Sequence, residues 1–407
     1  MPSRRQIYRR RRIVVFGGLI VALGALFYLP MTLLAPLSEA EPVVPVHSEL
    51  PGEAAAPAWP GYGASAIGAV GFPGVLAVSG SERALPMASI TKIVTALTVL
   101  EAKPLTVDEA GPSVTMTADD VALYTAYRKV NGKVAPVSAG EVYTQRELLD
   151  LTLIESANNY SSTLARWAFG SEAAFVAKAR EWVAAHNLPS LVIVDSTGLD
   201  PGNKATATDL IELGRIALAD PVVATIVGTD TMTMHDVGVV ENSNELLGTH
   251  GVTGIKTGTL DDFGANLLFS AVYPIGSSTV TVIGVVLGGT DHGTLDIAIT
   301  RLLASVQAGF HEVDVSDVGE PFATYSTAWG QTAEAAADAE AMLLTWGDAP
   351  ITATVSADPV RIEEAGQPVG DVVFTSGPNT VTVPLVLSTT ITDPGPGWRL
   401  THPGELF

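Results

Sequence analysis

Ser89 and Lys92 lie three residues apart at the front of an apolar run, "ASITKIVTALTVLE" (88–101). On a helix that spacing stacks the hydroxyl and the amine on one face. Serine is a weak nucleophile and needs a base to take its proton. A lysine can be that base where burial or a neighbouring cation leaves its amine neutral. The segment from Ile90 to Leu100 would supply apolar walls, and the serine's own N–H, at a helix N-terminus, could donate to an oxyanion. Alone, the pair is a weak signal, since a helix cap followed by a surface lysine is the commoner meaning.

Two further clusters could serve the same chemistry. In "IESANNYSS", Ser156 could relay a proton to a leaving amine while Asn158 holds a substrate amide, although such clusters more often cap helices. Lys256-Thr257-Gly258-Thr259 falls in a predicted strand, where alternation puts Lys256 and Gly258 on one face and Thr257 and Thr259 on the other. The lysine offers positive charge for a carboxylate, and Thr257 or Thr259 a hydroxyl. Gly258 gives room for a ligand backbone, and the N–H of Thr259 could complete an oxyanion hole. In isolation this is equally an edge strand protected by a lysine. One Ser-x-x-Lys, one Ser-x-Asn and one Lys-Thr-Gly, in that order, form a set far more specific than its parts.

The elements that must position these residues can be read from periodicity. "GVLAVSG" (74–80) reads as a short strand ahead of the Ser89 helix, and 116–135 as a polar surface excursion. "TQRELLDLTLIESANNYSSTLARWAFG", "EAAFVAKAREWVAAHN" and "TATDLIELGRIALADP" carry helical spacing, so a mostly helical block runs from about 117 to 228. "GVTGIKTGTL", "GANLLFSAVY" and "STVTVIGVVLGG" then read as successive antiparallel strands, and "TLDIAITRLLASVQAGF" as a closing helix. A helical block between an early strand and a late antiparallel sheet is an α+β architecture with a cleft at the seam. From 312 to 407, alternating apolar and Thr/Ser residues between turns predict a small β-rich accessory domain.

The 407 residues contain no cysteine, which removes disulfides, thiolate catalysis and cysteine zinc sites. The seven histidines show no metal spacing. The net charge is −21, yet Arg4, Arg5 and Arg9 to Arg12 all precede the first acidic residue, Glu39, so the remainder is more acidic still. That balance speaks against a nucleic-acid partner. After this basic segment (1–12) come 25 uncharged residues, Ile13 to Leu37, long enough to cross a bilayer with the arginines on the cytoplasmic side. Residues 13–37 read as an uncleaved transmembrane signal-anchor. Cleavage, with secretion, is the alternative, though Ser38-Glu39-Ala40 fits a cleavage exit only loosely. Residues 38–60, rich in Pro, Ala and Glu, read as an extended tether. Anchored or cleaved, the chain beyond residue 37 would lie outside the cytoplasm.

With these motifs the chain resembles the D-alanyl-D-alanine carboxypeptidase family, the low-molecular-mass penicillin-binding proteins. "MASITKIVTALTVLE", "LLDLTLIESANN", "DSTGLDPGNKATATDLIELGRIAL", "NSNELL" and "VIGVVLGG" all carry the likeness. The resemblance implies a β-lactamase/DD-peptidase-like catalytic domain over residues 61–311. It also implies acyl transfer: Ser89 attacks the penultimate D-alanine of a peptidoglycan stem peptide, with Lys92 as base. The N–H groups of Ser89 and Thr259 would hold the oxyanion, Ser156 would pass a proton to departing D-alanine, and Lys256 and Thr257 would position the terminal carboxylate. β-Lactams would acylate Ser89, and no metal or organic cofactor is implied. One departure from the family concerns the carboxylate grip: "GGTDHGTLD" has no arginine before Arg301, which leaves Lys256, the threonines or His292. A second is Asn159 following Asn158. A β-lactamase and a non-catalytic or altered-specificity wall protein are the competing readings.

Overall fold

A computed structural model describes residues 4–46 and 54–406. Five strands, β1 (Ala64–Ala69), β2 (Ala77–Gly80), β3 (Val252–Leu260), β4 (Gly264–Ile275) and β5 (Ser278–Gly289), form one antiparallel sheet in the order β2-β1-β5-β4-β3. The last three are consecutive, as their sequence predicts. The turn between β4 and β5 is the two-residue loop Gly276-Ser277, with Ile275 paired to Ser278 and Gly276 at φ +58°. Such tight hairpins favour a positive φ that glycine adopts freely.

The helices run, in chain order, α1 (Arg4–Leu33), α2 (Thr91–Ala102), α3 (Ala118–Lys129), α4 (Gln145–Leu153), α5 (Asn158–Phe169), α6 (Glu172–Ala185), α7 (Ala207–Ala219), α8 (Pro221–Val227) and α9 (His292–Gln307). Every residue of α2 from Thr91 to Leu100 is buried. An apolar helix without a solvent face must sit inside the protein, and α4, α5, α6 and α7 surround it. Ile93, Val94 and Leu97 of α2 share a core with Leu268, Ile283 and Val285 of the sheet. The alternate residues Leu267, Phe269, Val282 and Val286 face the other way, onto Leu295, Ile299 and Leu302 of α9. The period of two therefore gives the sheet two apolar faces, one per helical layer.

The C-terminal region is all β apart from its end. Strands β6 (Phe310–Ser316), β7 (Pro321–Ser326), β8 (Thr332–Ala337), β9 (Ala341–Trp346), β10 (Thr352–Ala357), β11 (Pro368–Ser376) and β12 (Asn379–Leu387) form a β6-β9 pair and a five-stranded sheet ordered β7-β8-β12-β11-β10. They enclose a separate core around Phe322, Tyr325, Val372 and Leu385. A short helix, α10 (Gly395–Thr401), comes after them.

Three segments depart from their sequence pattern. The central strand β1, "ASAIGA", is fully buried but too poor in β-branched residues to announce itself. Residues 118–129, read as an excursion, are helical because Asp120 accepts from both the N–H and the hydroxyl of Thr117, at 2.8 and 2.6 Å. Residues 38–46, read as part of a tether, are pinned to the β-rich region. Ala40 pairs with Val360, Val43 pairs with Thr324, and Glu39 meets Arg361 at 2.9 Å. Residues 47–53 of that stretch lie outside the described residues.

Candidate active site

A cleft of about 840 Å³ opens between the helical layer and β3, lined by Ser89, Ser156, Asn158, Thr257, Gly258 and Thr259 among others. Three stretches far apart in sequence thus supply one site, and each arrives on a different kind of element.

Ser89 sits in a single 3-10 turn, Ala88–Ile90, that leads directly into α2. Ala88 has φ +52°, a sharp bend for a residue with a Cβ. Two glycines crowd this bend. A Cβ on Gly258 would lie 2.9 Å from the Met87 carbonyl and 3.1 Å from the Ser89 nitrogen. A Cβ on Gly198 would lie 1.9 Å from the Ala88 carbonyl, at φ +80°. The small residue in Lys-Thr-Gly therefore lets the serine turn, rather than only a ligand, approach β3.

One turn along, the Lys92 side chain is fully buried and its Nζ meets three oxygens: Ser89 Oγ at 2.8 Å, Asn158 Oδ1 at 2.6 Å and the Thr197 carbonyl at 2.7 Å. Burial pushes the pKa of the Lys92 ammonium down to about 7, against the pull of Asp195 and with help from the Lys133 cation. A neutral amine keeps two N–H groups, which the Asn158 and Thr197 oxygens can absorb. Its lone pair is then left facing the Ser89 hydroxyl.

Asn158 is the first residue of α5, and its backbone N–H bonds the Lys133 carbonyl at 2.8 Å. Asn159 grips the next stretch of that loop, with Oδ1 and Nδ2 on the N–H and carbonyl of Ala135 at 3.2 and 3.0 Å. The second asparagine thus positions the loop that carries Lys133. Ser156 has φ +62°, is 4% exposed and has no side-chain hydrogen bond among the described residues. Its hydroxyl borders the cleft.

Lys256 is also buried, and its ammonium is held well below the usual range, first by burial and then by the Lys92 and Lys133 cations, with Glu155 opposing. Its side chain does not line the cleft. It reaches Ser243 Oγ at 3.3 Å and Thr257 Oγ1 at 3.5 Å, and those two hydroxyls are 2.5 Å apart on the cleft wall. Thr259 Oγ1 bonds His292 Nε2 at 2.8 Å. Burial lowers the His292 pKa, with Glu245 opposing. No arginine lines the cleft among the described residues.

Ser243, Lys133 and the Thr197 carbonyl belong to the site without standing in any of the three motifs. Ser243 carried a trace, since "NSNELL" stands just ahead of Lys-Thr-Gly. The Thr197 oxygen could not be foreseen because its role belongs to the backbone. Asp195 fixes that loop by accepting from the N–H groups of Thr197 and Gly198 at 2.7 and 2.6 Å.

Comparison with known proteins agrees with this geometry. Residues 73–291 match the family described as D-alanyl-D-alanine carboxypeptidase. The chain is 34% identical over 191 residues to the D-alanyl-D-alanine carboxypeptidase DacB2 of Mycobacterium tuberculosis, covering 45% of this chain and 61% of that protein. It thus spans about three fifths of that curated relative. Two solved structures share the fold. A peptidoglycan synthesis regulatory factor (PBP3) from Streptococcus pneumoniae has TM-score 0.60 at 22% identity, over 81% of this chain and 98% of that one. Penicillin binding protein 6B from Escherichia coli has TM-score 0.58 at 21% identity, over 85% and 99%. With the matched segment holding all three motifs and more than half of its length, the chain belongs to the D-alanyl-D-alanine carboxypeptidase family.

Proposed function

We propose that this chain is a membrane-anchored serine carboxypeptidase that removes the terminal D-alanine from peptidoglycan stem peptides through an acyl-enzyme on Ser89. The observation that carries the reading is the buried Lys92 amine, 2.8 Å from Ser89 Oγ and titrating at about 7. A general base with a pKa near the working pH combines a useful neutral fraction with real proton affinity.

Lys92 takes the hydroxyl proton as Ser89 Oγ bonds to the carbonyl carbon of the penultimate D-alanine. The N–H groups of Ser89 and Thr259 hold the oxyanion. As the C–N bond breaks, Ser156 donates to the leaving D-alanine nitrogen and recovers a proton from Lys92. Water, deprotonated by the same amine, then adds to the ester carbonyl, and the C–Oγ bond breaks as Lys92 passes that proton to Ser89 Oγ. Asn158 holds the substrate amide and orients Lys92. Ser243 and Thr257 present hydroxyls to the terminal carboxylate, with Lys256 behind them, and His292 steadies Thr259. β-Lactams would acylate Ser89 by the same first step.

In this account α1 is the anchor, residues 61–311 the catalytic domain and 312–407 the accessory one. The arginine-free cleft favours a second reading, in which the chain binds penicillin but has altered peptide-end specificity. Incubating the purified full-length chain with a D-Ala-D-Ala pentapeptide separates the two. Ser89-dependent D-alanine release is the expected result. Penicillin labelling without release would replace the carboxypeptidase reading with the second one.

A further inference from the structure

The loop Asp195–Gly198 backs both members of the catalytic pair. Its Thr197 carbonyl holds Lys92 Nζ, and its Gly198 lies directly against the Ala88 carbonyl, just before Ser89. A loop has no ladder to fix its peptides, so side chains from other elements must do so. Three successive peptides are pinned in this way. The Ser196 N–H donates to Oε1 of Glu172, the first residue of α6, at 2.6 Å. The Ser196 carbonyl accepts from Thr95 Oγ1 of α2 at 2.8 Å and from Ser161 Oγ of α5 at 2.6 Å. The Thr197 and Gly198 N–H groups both go to Asp195 Oδ1. The carbonyl that faces Lys92 belongs to the last of these three peptides, so its aim depends on the other two.

Glu172 is the costly member of this set. Burial pushes its carboxyl up, against the hydrogen bond from Ser196 and the pull of Arg166, and the Asp195 charge adds to the rise. Its second oxygen, Oε2, is buried with no hydrogen-bond partner among the described residues. A carboxyl desolvated on those terms is a poor device for stability alone. What it does hold is the Asp195–Ser196 peptide, and the Asp195 carboxylate in turn holds the next two N–H groups. We propose that Glu172 is a positioning residue for the base. From the start of α6 it fixes the Asp195–Gly198 loop, so that the Thr197 carbonyl takes one N–H of the Lys92 amine and the lone pair stays on Ser89 Oγ. Glu172 touches neither the substrate nor Ser89 and acts only through this loop. A carbonyl accepts more strongly from an ammonium than from an amine. Loosening the Thr197 carbonyl therefore favours the neutral amine and misaims it, which lowers the pH midpoint of acylation and its plateau rate together.

The inference rests on Lys92 being the base, and the test separates the two. Acylation of the full-length chain by a fluorescent penicillin is followed by stopped flow from pH 5.5 to 9, with rates expressed per chain that labels. In Glu172→Ala the plateau rate is expected to fall at least about tenfold, and the midpoint to drop below that of the parent. Glu172→Gln keeps an acceptor at Oε1 and is expected to restore both rate and midpoint. The charged groups that act with Lys92, namely Asp195, Lys133 and Lys256, are kept in every variant. Should Glu172→Ala not fold, Ser161→Ala frees the next peptide of the loop from the α5 side and is expected to show the same paired fall. A parent profile that breaks near pH 7, with unchanged rate and midpoint in the variants, would overturn the role of Glu172 and leave Lys92 as base. A loss in Glu172→Gln as deep as in Glu172→Ala would also overturn it, by assigning the effect to charge and not to the acceptor. A flat profile in the parent would overturn the base and its positioning residue together.

Discussion

Replacing Lys92 with methionine keeps a straight apolar stem and deletes the buried amine. Moving a lysine from 10.5 to about 7 corresponds to about 5 kcal/mol held against folding. Below about pH 7 both folded and unfolded chains carry the proton, and the penalty is constant and greatest. Between about 7 and 10.5 the unfolded chain binds more protons than the folded one. Stability therefore rises with pH by about 1.4 kcal/mol per unit from this group, until both states are neutral. Lys92→Met has no such slope. At pH 7 the relief of about 5 kcal/mol is offset by stranding Asn158 Oδ1 and the Thr197 carbonyl, at about 1–3 kcal/mol each. The variant is thus expected within a few kcal/mol of the parent there. By pH 9.5 it should have lost about 3 kcal/mol relative to the parent, with acylation abolished at every pH. Urea unfolding of the detergent-solubilised full-length chain, followed by tryptophan fluorescence from pH 6.5 to 9.5, measures this. Parallel stability curves for parent and variant would refute the depressed, buried amine.

Three further outcomes are expected from the same geometry. The rate of Ser89 acylation by a fluorescent penicillin should fall about tenfold per pH unit below about 7 and level off above it, and a flat profile from pH 5.5 to 9 would contradict Lys92 as base. Gly258→Ala places a Cβ 2.9 Å from the Met87 carbonyl, so stopped-flow acylation should drop about 100-fold through displacement of the serine turn. Wild-type rates in that variant would show that the close approach is unimportant. Ser156→Ala removes a hydroxyl with no partner among the described residues, so unfolding free energy should stay within about 0.5 kcal/mol while D-alanine release falls at least 100-fold, about the lower limit for a lost proton relay. A large stability loss would recast Ser156 as structural.

The site was legible wherever chemistry needed a particular side chain at a particular spacing. Ser89 and Lys92 are one helical turn apart, and the period of two in β3 put Lys256 and Gly258 on the face that meets the Ser89 turn. The missing parts were those that act through backbone or tertiary contact. Thr197 serves through its carbonyl, Asn159 through a grip on the Ala135 peptide, and Ser243 from a loop that only folding brings beside Thr257. Like charge adds to burial in depressing both buried lysines, the Lys92 and Lys133 cations at Lys256 and the Lys133 cation at Lys92. Strand β1 escaped notice because tight packing against α7 asked for Ala and Gly: a Cβ on Gly68 would meet Ile211 at 2.4 Å. The stretch after α1 was read as a tether because its partners, Thr324 and Val360, lie about three hundred residues away.

The central claim is a covalent bond to one oxygen. Brief exposure of the full-length chain to benzylpenicillin, followed by acid quench, proteolysis and tandem mass spectrometry, locates that bond. The account predicts a single penicilloyl adduct on Ser89, formed at pH 8 and strongly reduced in Lys92→Met. An adduct on any other residue, or none while the folded chain is intact, would contradict it.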